Sequence, residues 1–154
     1  MYSLYIYETP IGKITIGCNE RAVTSLSFGE HIPVGAALKE TPLHKKAYEE
    51  LVEYLEGKRN FFDLPLEPKG TEFQKRVWKE LLEIPYGEVR SYKYIAEKAG
   101  NVKACRAVGL ANNRNPIVIF IPCHRVIGAS GKLVGYGGGL DLKEKLLLLE
   151  KSHG

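Results

Sequence analysis

The stretch "IPCHRVIG", residues 121–128, sets a thiol, an imidazole and a guanidinium side by side at Cys123, His124 and Arg125. A thiolate is the nucleophilic form of cysteine, and neighbouring cations lower a thiol pKa. Activating such a thiol takes a base and a third group that orients the base. His124 is the candidate base. Glu144, in the C-terminal segment "LDLKEKLLLLE", is the candidate carboxylate on its other nitrogen. Adjacent side chains of extended backbone point to opposite faces, so His124 would reach the sulfur through a local bend or a bridging water. The competing reading is a buried cysteine that packs as a small hydrophobe. Cys18 ends an expected strand and Cys105 sits inside an expected helix; both lack this context and read as structural.

The elements that must position these groups follow from local patterns. "SLYIYET", "GKITIGC" and "AVTSLSF" are β-branched, aromatic and roughly alternating, with turn residues between them. Residues 44–58 carry Ala47, Leu51, Tyr54 and Leu55 at helical spacing and stop near Gly57. "RNFFDLPLEPKG" has turn formers and no period, and reads as a linker. Thr71 and Gln74 form a T-x-x-Q capping pattern ahead of the stripe Phe73, Val77, Leu81 and Ile84. Ser91 is a natural N-cap for "YKYIAEK", Gly100 a natural stop, and a second helix is expected soon after Asn101. Five apolar residues, Ile117–Ile121, then read as a strand that Pro122 ends. A Gly-rich loop, 128–139, leads to the last helix.

Two short helices joined by a tight turn form a helix-turn-helix. Its second helix is slim, with Ala104, Ala107, Gly109 and Ala111. A helix of that girth suits a narrow groove, and the DNA minor groove is about 6 Å wide. Arg106 is its prominent long side chain. It can fill the place of an extruded base or pair with phosphate; a plain surface arginine is the competing reading.

Charge points the same way. Of 154 residues, the first 68 carry 7 Lys/Arg against 10 Asp/Glu, and the remaining 86 carry 15 against 8. A basic second half beside an acidic first half suits a polyanionic partner. Three cysteines, without CxxC or Cys/His zinc spacing, exclude a disulfide framework and leave at least one free thiol. No run reaches the 18 or so apolar residues of a membrane span. A cytoplasmic, monomeric protein that binds no membrane is the expectation.

The segments "GEVRSYKYIAEKAG", "ACRAVGLANNRNP", "PCHRV" and "GYGGGL" occur in this order between residues 87 and 140. They resemble the methylated-DNA–protein-cysteine methyltransferases, the 6-O-alkylguanine-DNA alkyltransferase family. The resemblance is specific over about residues 71–150 and loose before them. It implies an α/β chain with a small ribonuclease-H-like domain at 1–68 and a winged-helix-like domain at 69–154 carrying the helix-turn-helix.

The activity it implies is direct reversal of DNA damage. An alkyl group would pass from the 6-oxygen of guanine in double-stranded DNA to Cys123, irreversibly, once per molecule and without a cofactor. His124 would act as base through a water, with Glu144 orienting it. Tyr92 would hydrogen-bond the flipped guanine and help proton transfer to its ring. Arg106 would fill the gap in the duplex, with Ala104, Ala107 and Gly109 along the minor groove. Asn115 would brace the turn before the active-site strand. Tyr136 and the Gly137 backbone would line the alkyl pocket, and backbone at Cys123 and Val126 would read the base edge. Gly137 stands where many relatives carry Ser or Ala.

Some relatives bind zinc in the first domain. Here Cys18 has no matching partners, so no metal is expected, and His31 and His44 read as surface residues. Two rivals remain: a lesion-binding sensor without chemistry, and a cysteine hydrolase, which leaves the slim helix and Arg106 without a purpose.

Overall fold

The computed structural model describes residues 2–128 and 130–153. Two compact units emerge. One takes the residues up to Lys69 together with Pro116–Phe120; the other takes Gly70–Asn115 and the residues from Ile121 onward.

The first unit is built on a hairpin of β1, Ser3–Thr9, and β2, Gly12–Cys18. Gly12 has φ 101°, a left-handed conformation that glycine adopts without a steric cost. β3, Val23–Phe28, pairs antiparallel with β2, and β4, Ala37–Leu38, pairs parallel with β1. The sheet order is therefore β3-β2-β1-β4. α1, Pro42–Leu55, buries Ala47, Leu51 and Tyr54, and Ile14, Ile16 and Leu26 are buried in the same unit.

His44 is not the surface residue its sequence context suggested. It is fully buried. Its Nδ1 accepts from Thr41 N at 3.0 Å, completing a capping box, and its Nε2 donates to Ser3 O at 3.1 Å. A ring with one nitrogen accepting and one donating is neutral, and burial holds its pKa below the ordinary value. His31 is exposed.

The strand expected at 117–121 does not form. Ile117 makes one parallel bridge to Leu26, and Ile119 takes φ 71°, where a β-branched residue stays only if its surroundings hold it. Leu26 N donates to Pro116 O at 2.9 Å, Val118 N donates to Leu26 O at 3.2 Å, and the Phe120 ring meets Phe62 edge-on at 4.6 Å. The apolar run signalled burial, not extension.

The second unit begins with α2, Glu72–Leu82. Thr71 Oγ1 accepts from Gln74 N, and Gln74 Oε1 accepts from Thr71 N, the reciprocal cap written in the sequence. Val77, Trp78 and Leu81 are its buried face, and Trp78 Nε1 donates to Ala111 O at 2.9 Å. β5, Arg90–Ser91, leads into α3, Tyr92–Lys98, capped by Ser91. α4 spans Cys105–Asn113, a few residues after Asn101. Asn101 Oδ1 accepts from Lys103 N at 3.0 Å and closes the turn ahead of it. β6, Val126–Ile127, pairs parallel with β5, and α5 spans Leu140–His153. No helix among the described residues is long and apolar enough to cross a membrane. No group of three or more His, Cys, Asp or Glu among them could hold a metal ion.

Candidate active site beside a helix-turn-helix groove

The chain leaves the second unit after Asn115 and returns at Ile121. Asn115 spans the gap, donating from Nδ2 to Ile121 O at 2.7 Å. Pro122 then sits at φ −80°, ψ 64°, with Cys123 N donating to Ile121 O at 2.8 Å, an inverse γ-turn. A single 3₁₀ turn, Cys123–Arg125, follows and feeds β6. With three residues per turn, consecutive side chains leave in three directions. All three are buried: Cys123 is 3% exposed, His124 0% and Arg125 7%.

The carboxylate that meets His124 is Glu150, not Glu144. His124 Nε2 lies 2.6 Å from Glu150 Oε2. Arg125 grips the same group from Nε to Oε1 at 2.8 Å and from Nη2 to Oε2 at 2.9 Å, and Gly87 N donates to Oε1 at 3.2 Å. Glu144 is exposed. Six residues along a helix put the two glutamates about 120° apart around its axis, and α5 buries Lys143, Leu146 and Glu150. Leucines on several faces of "KLLLLE" hide that stripe in the sequence. Arg125 also donates to Ile84 O at 2.8 Å and lies over the Tyr86 ring at 5.7 Å. It is thus committed to Glu150 and not to the thiol.

The charges settle accordingly. Burial alone would raise the Glu150 carboxyl; hydrogen bonds from His124 and Arg125, with their charges, outweigh it and hold it at about 2. Burial lowers the His124 pKa against the pull of Glu150, so the imidazole is neutral. The ionised carboxylate only accepts, so Nε2 carries the hydrogen and Nδ1 keeps the lone pair of a base. Burial pushes the Cys123 thiol up to about 11, partly opposed by a hydrogen bond from the Asn115 side chain and by the charge of Lys143. The thiol therefore rests protonated.

Lys143 was not visible to motif reasoning. It is fully buried, and its Nζ donates to Val134 O at 3.0 Å and Gly135 O at 3.3 Å. It is the cation that acts on Cys123, the part the sequence had suggested for Arg125. Tyr92 Oη also donates to Val134 O, at 2.9 Å. Burial and then Cys123 raise the Tyr92 phenol, opposed by a hydrogen bond from Asn112. Burial likewise raises Tyr136 well above its usual value, followed by the charges of Cys123 and Glu150. Val126 is buried in β6, and Gly137 is exposed, where an added Cβ would meet nothing within 4 Å. Ala129 of the Gly-rich loop lies outside the described residues. Cys18 is buried, with its thiol pushed up to about 12, and Cys105 opens α4.

Tyr92, Ala104, Arg106, Ala107 and Gly109 all line one open groove of about 950 Å³, together with Val134 and Gly135. Arg106 and Ala107 are exposed. Tyr92 is a lining residue whose phenol Cys123 also acts on.

Fold and site together define a protein that carries a buried thiol, next in sequence to a carboxylate-bound imidazole, on the unit with the helix-turn-helix. Residues 72–152 match the 6-O-methylguanine DNA methyltransferase DNA binding domain, and residues 1–68 match the ribonuclease-like domain of the same enzymes. The methylated-DNA–protein-cysteine methyltransferase of Methanosarcina barkeri is 52% identical over 152 residues, covering 96% of each chain. That of Mycobacterium tuberculosis is 49% identical over 149 residues, covering 95% of this chain and 90% of its own. The crystal structure of Mycobacterium tuberculosis OGT in complex with DNA superposes with a TM-score of 0.92 at 47% identity, covering 98% of this chain and 94% of that one. The chain belongs to the 6-O-methylguanine DNA methyltransferase family, with a ribonuclease-like domain followed by a DNA-binding domain.

Proposed function

We propose that this protein repairs DNA by transferring a methyl or larger alkyl group from the 6-oxygen of guanine to Cys123, one group per molecule. The observation that carries the reading is buried Cys123 next in sequence to a buried His124 hydrogen-bonded to Glu150, in the unit whose slim, Arg-bearing helix lines an open groove.

The alkyl carbon of a paired base is out of reach of a buried thiol. The nucleotide therefore rotates out of the duplex, at an unstacking cost of a few kcal/mol that is lower for a weakly paired lesion. α4 lies in the minor groove with Ala104, Ala107 and Gly109 against the sugar edges, and Arg106 fills the space the base leaves. Basic residues of the second half supply sequence-independent, salt-dependent affinity. The protein acts as a monomer.

In the reaction, a water passes the Cys123 proton to His124 Nδ1. The imidazolium is stabilised by Glu150, which never needs to be protonated. The sulfur attacks the alkyl carbon, the C–O bond breaks, and its electron pair leaves on the guanine. Tyr92 helps deliver a proton to the ring and is reprotonated, through water, by the proton His124 holds, so that thiol and alkylguanine become thioether and guanine with nothing left over. Tyr136 and the Gly137 backbone line the alkyl pocket, while Cys123 and Val126 backbone carbonyls meet the base edge. Asn115 holds the turn beneath the sulfur.

Titration with a duplex bearing one methylated guanine, read by intact mass, tests this. One methyl, about 14 Da, should appear on Cys123 and saturate at one equivalent. Cys123→Ala should bind the lesion and gain nothing. Binding without mass gain in the wild type would make the protein a sensor.

A further inference from the structure

Leu110 stands where a helix that faces only water would carry a polar residue. It is 53% exposed on α4 and lines the same groove as Arg106. Four residues on from Arg106, it shares that side chain's face, about 40° around the helix and about 6 Å along it. Asn113 is on this face too, but its amide lies against Gly135, where an added Cβ would come within 3.2 Å of Asn113 Oδ1. Val134, 49% exposed, is a second apolar side chain on the groove, and Lys103 and Arg106 add cations to it. Lone apolar residues on a surface are ordinary; two on one groove that also carries cations mark a surface that something covers.

We propose that Leu110 packs on the deoxyribose edge beside the displaced nucleotide and makes the protein discriminate against ribose at that position. The inference rests on the proposed function and adds to it a residue that reads the sugar, not the base. Lys103 and Arg106 suit a polyanion, and the leucine narrows which part of it lies here. DNA lines its minor groove with the carbons of its sugars, whereas RNA sets a 2′-hydroxyl there. Leucine neither donates nor accepts, so a hydroxyl pressed against it loses water and gains no partner. The two side chains divide the face between them. Arg106 takes the space of the base, and Leu110, less than two base-pair steps of about 3.4 Å away, excludes water from an adjoining sugar.

The test is single-turnover methyl transfer to the full chain, measured against protein concentration. Each duplex carries one 6-O-methylguanine and one ribonucleotide, moved in turn through the nucleotides that flank the lesion. At one of these positions the wild type should need fivefold or more protein for its half-maximal rate than on the all-deoxy duplex. A 2′-fluoro sugar at that position, which shares the pucker of ribose and has no hydroxyl, should cost less than about twofold. Leu110→Asn offers a hydroxyl both a donor and an acceptor and should bring the ribose-to-deoxyribose ratio within about twofold. Leu110→Ala, which leaves room for a water, should lower the ratio as well, and it serves if the asparagine variant does not fold. Ribose tolerated at every flanking position would overturn the inference, as would a 2′-fluoro sugar that costs as much as ribose, or a ratio that the folded variant leaves unchanged. A wild type that gains no methyl mass from the all-deoxy duplex would instead overturn the proposed function, and this inference with it.

Discussion

Replacing Glu150 by Gln would remove the negative charge that His124 and Arg125 share. The imidazolium formed during transfer would lose its partner, so the rate of methyl transfer from a lesion duplex should fall by 10²-fold or more. Stability should fall too, by about 3–5 kcal/mol, because Arg125 would stay buried without a counter-charge. Glu144→Gln, on the exposed face, should leave both rate and melting temperature unchanged; single-turnover kinetics and thermal melts on the pair check this. The same carboxylate sets an acid limit. In the folded chain it is held at about 2, against an ordinary 4.5. A depressed carboxyl stabilises the fold fully above its unfolded pKa and loses that contribution as pH falls through its folded pKa. The loss, on the order of 3 kcal/mol, should therefore run from about pH 5 down to about pH 2. Melts across that window should fall more steeply for the wild type than for Glu150→Gln.

α4 is where the helix-turn-helix meets its partner, and Arg106 is its test. Transfer from duplex DNA should drop about 10- to 100-fold in Arg106→Ala, since nothing then fills the space of the displaced base. Transfer from the free base 6-O-methylguanine, which has no pair to break, should be unaffected; single-turnover rates on the two substrates check it. Elements with local signals were legible in the sequence. The Thr71–Gln74 box, the Ser91 cap and the β1–β2 hairpin each rest on residues within a turn of each other, so spacing alone reveals them. What needed long-range contacts was not legible. Ile117–Ile121 looked extended, but bonds to Leu26 and packing on Phe62 bend it. In the site, Cys123 and His124 could be read from their motif. Glu150 and Lys143 could not, because leucines crowd α5 and conceal which of its faces is inward. Asn112, which donates from Nδ2 to Cys123 O at 3.3 Å, was missed for a similar reason: on a slim helix it looks like a surface amide.

At the scale of the whole chain, Pro116–Phe120 is covalently part of one half and packed into the other. A fragment of residues 70–154 would carry Ile117, Ile119 and Phe120 without Leu26 and Phe62. It should aggregate or melt without cooperativity, while the full chain stays dispersed; size-exclusion chromatography and calorimetry decide this. The site has its own dependence on the last turns of α5. Among the described residues, the carboxylate that His124 and Arg125 share belongs to residue 150, near the end of that helix. Trimming α5 from its C-terminal end would thus have a sharp threshold. Products that retain residue 150 should still accept an alkyl group, and those one residue shorter should not, so a carboxypeptidase ladder exposed to damaged duplex would split in the mass spectrum into alkylated and inert species at a single peptide bond.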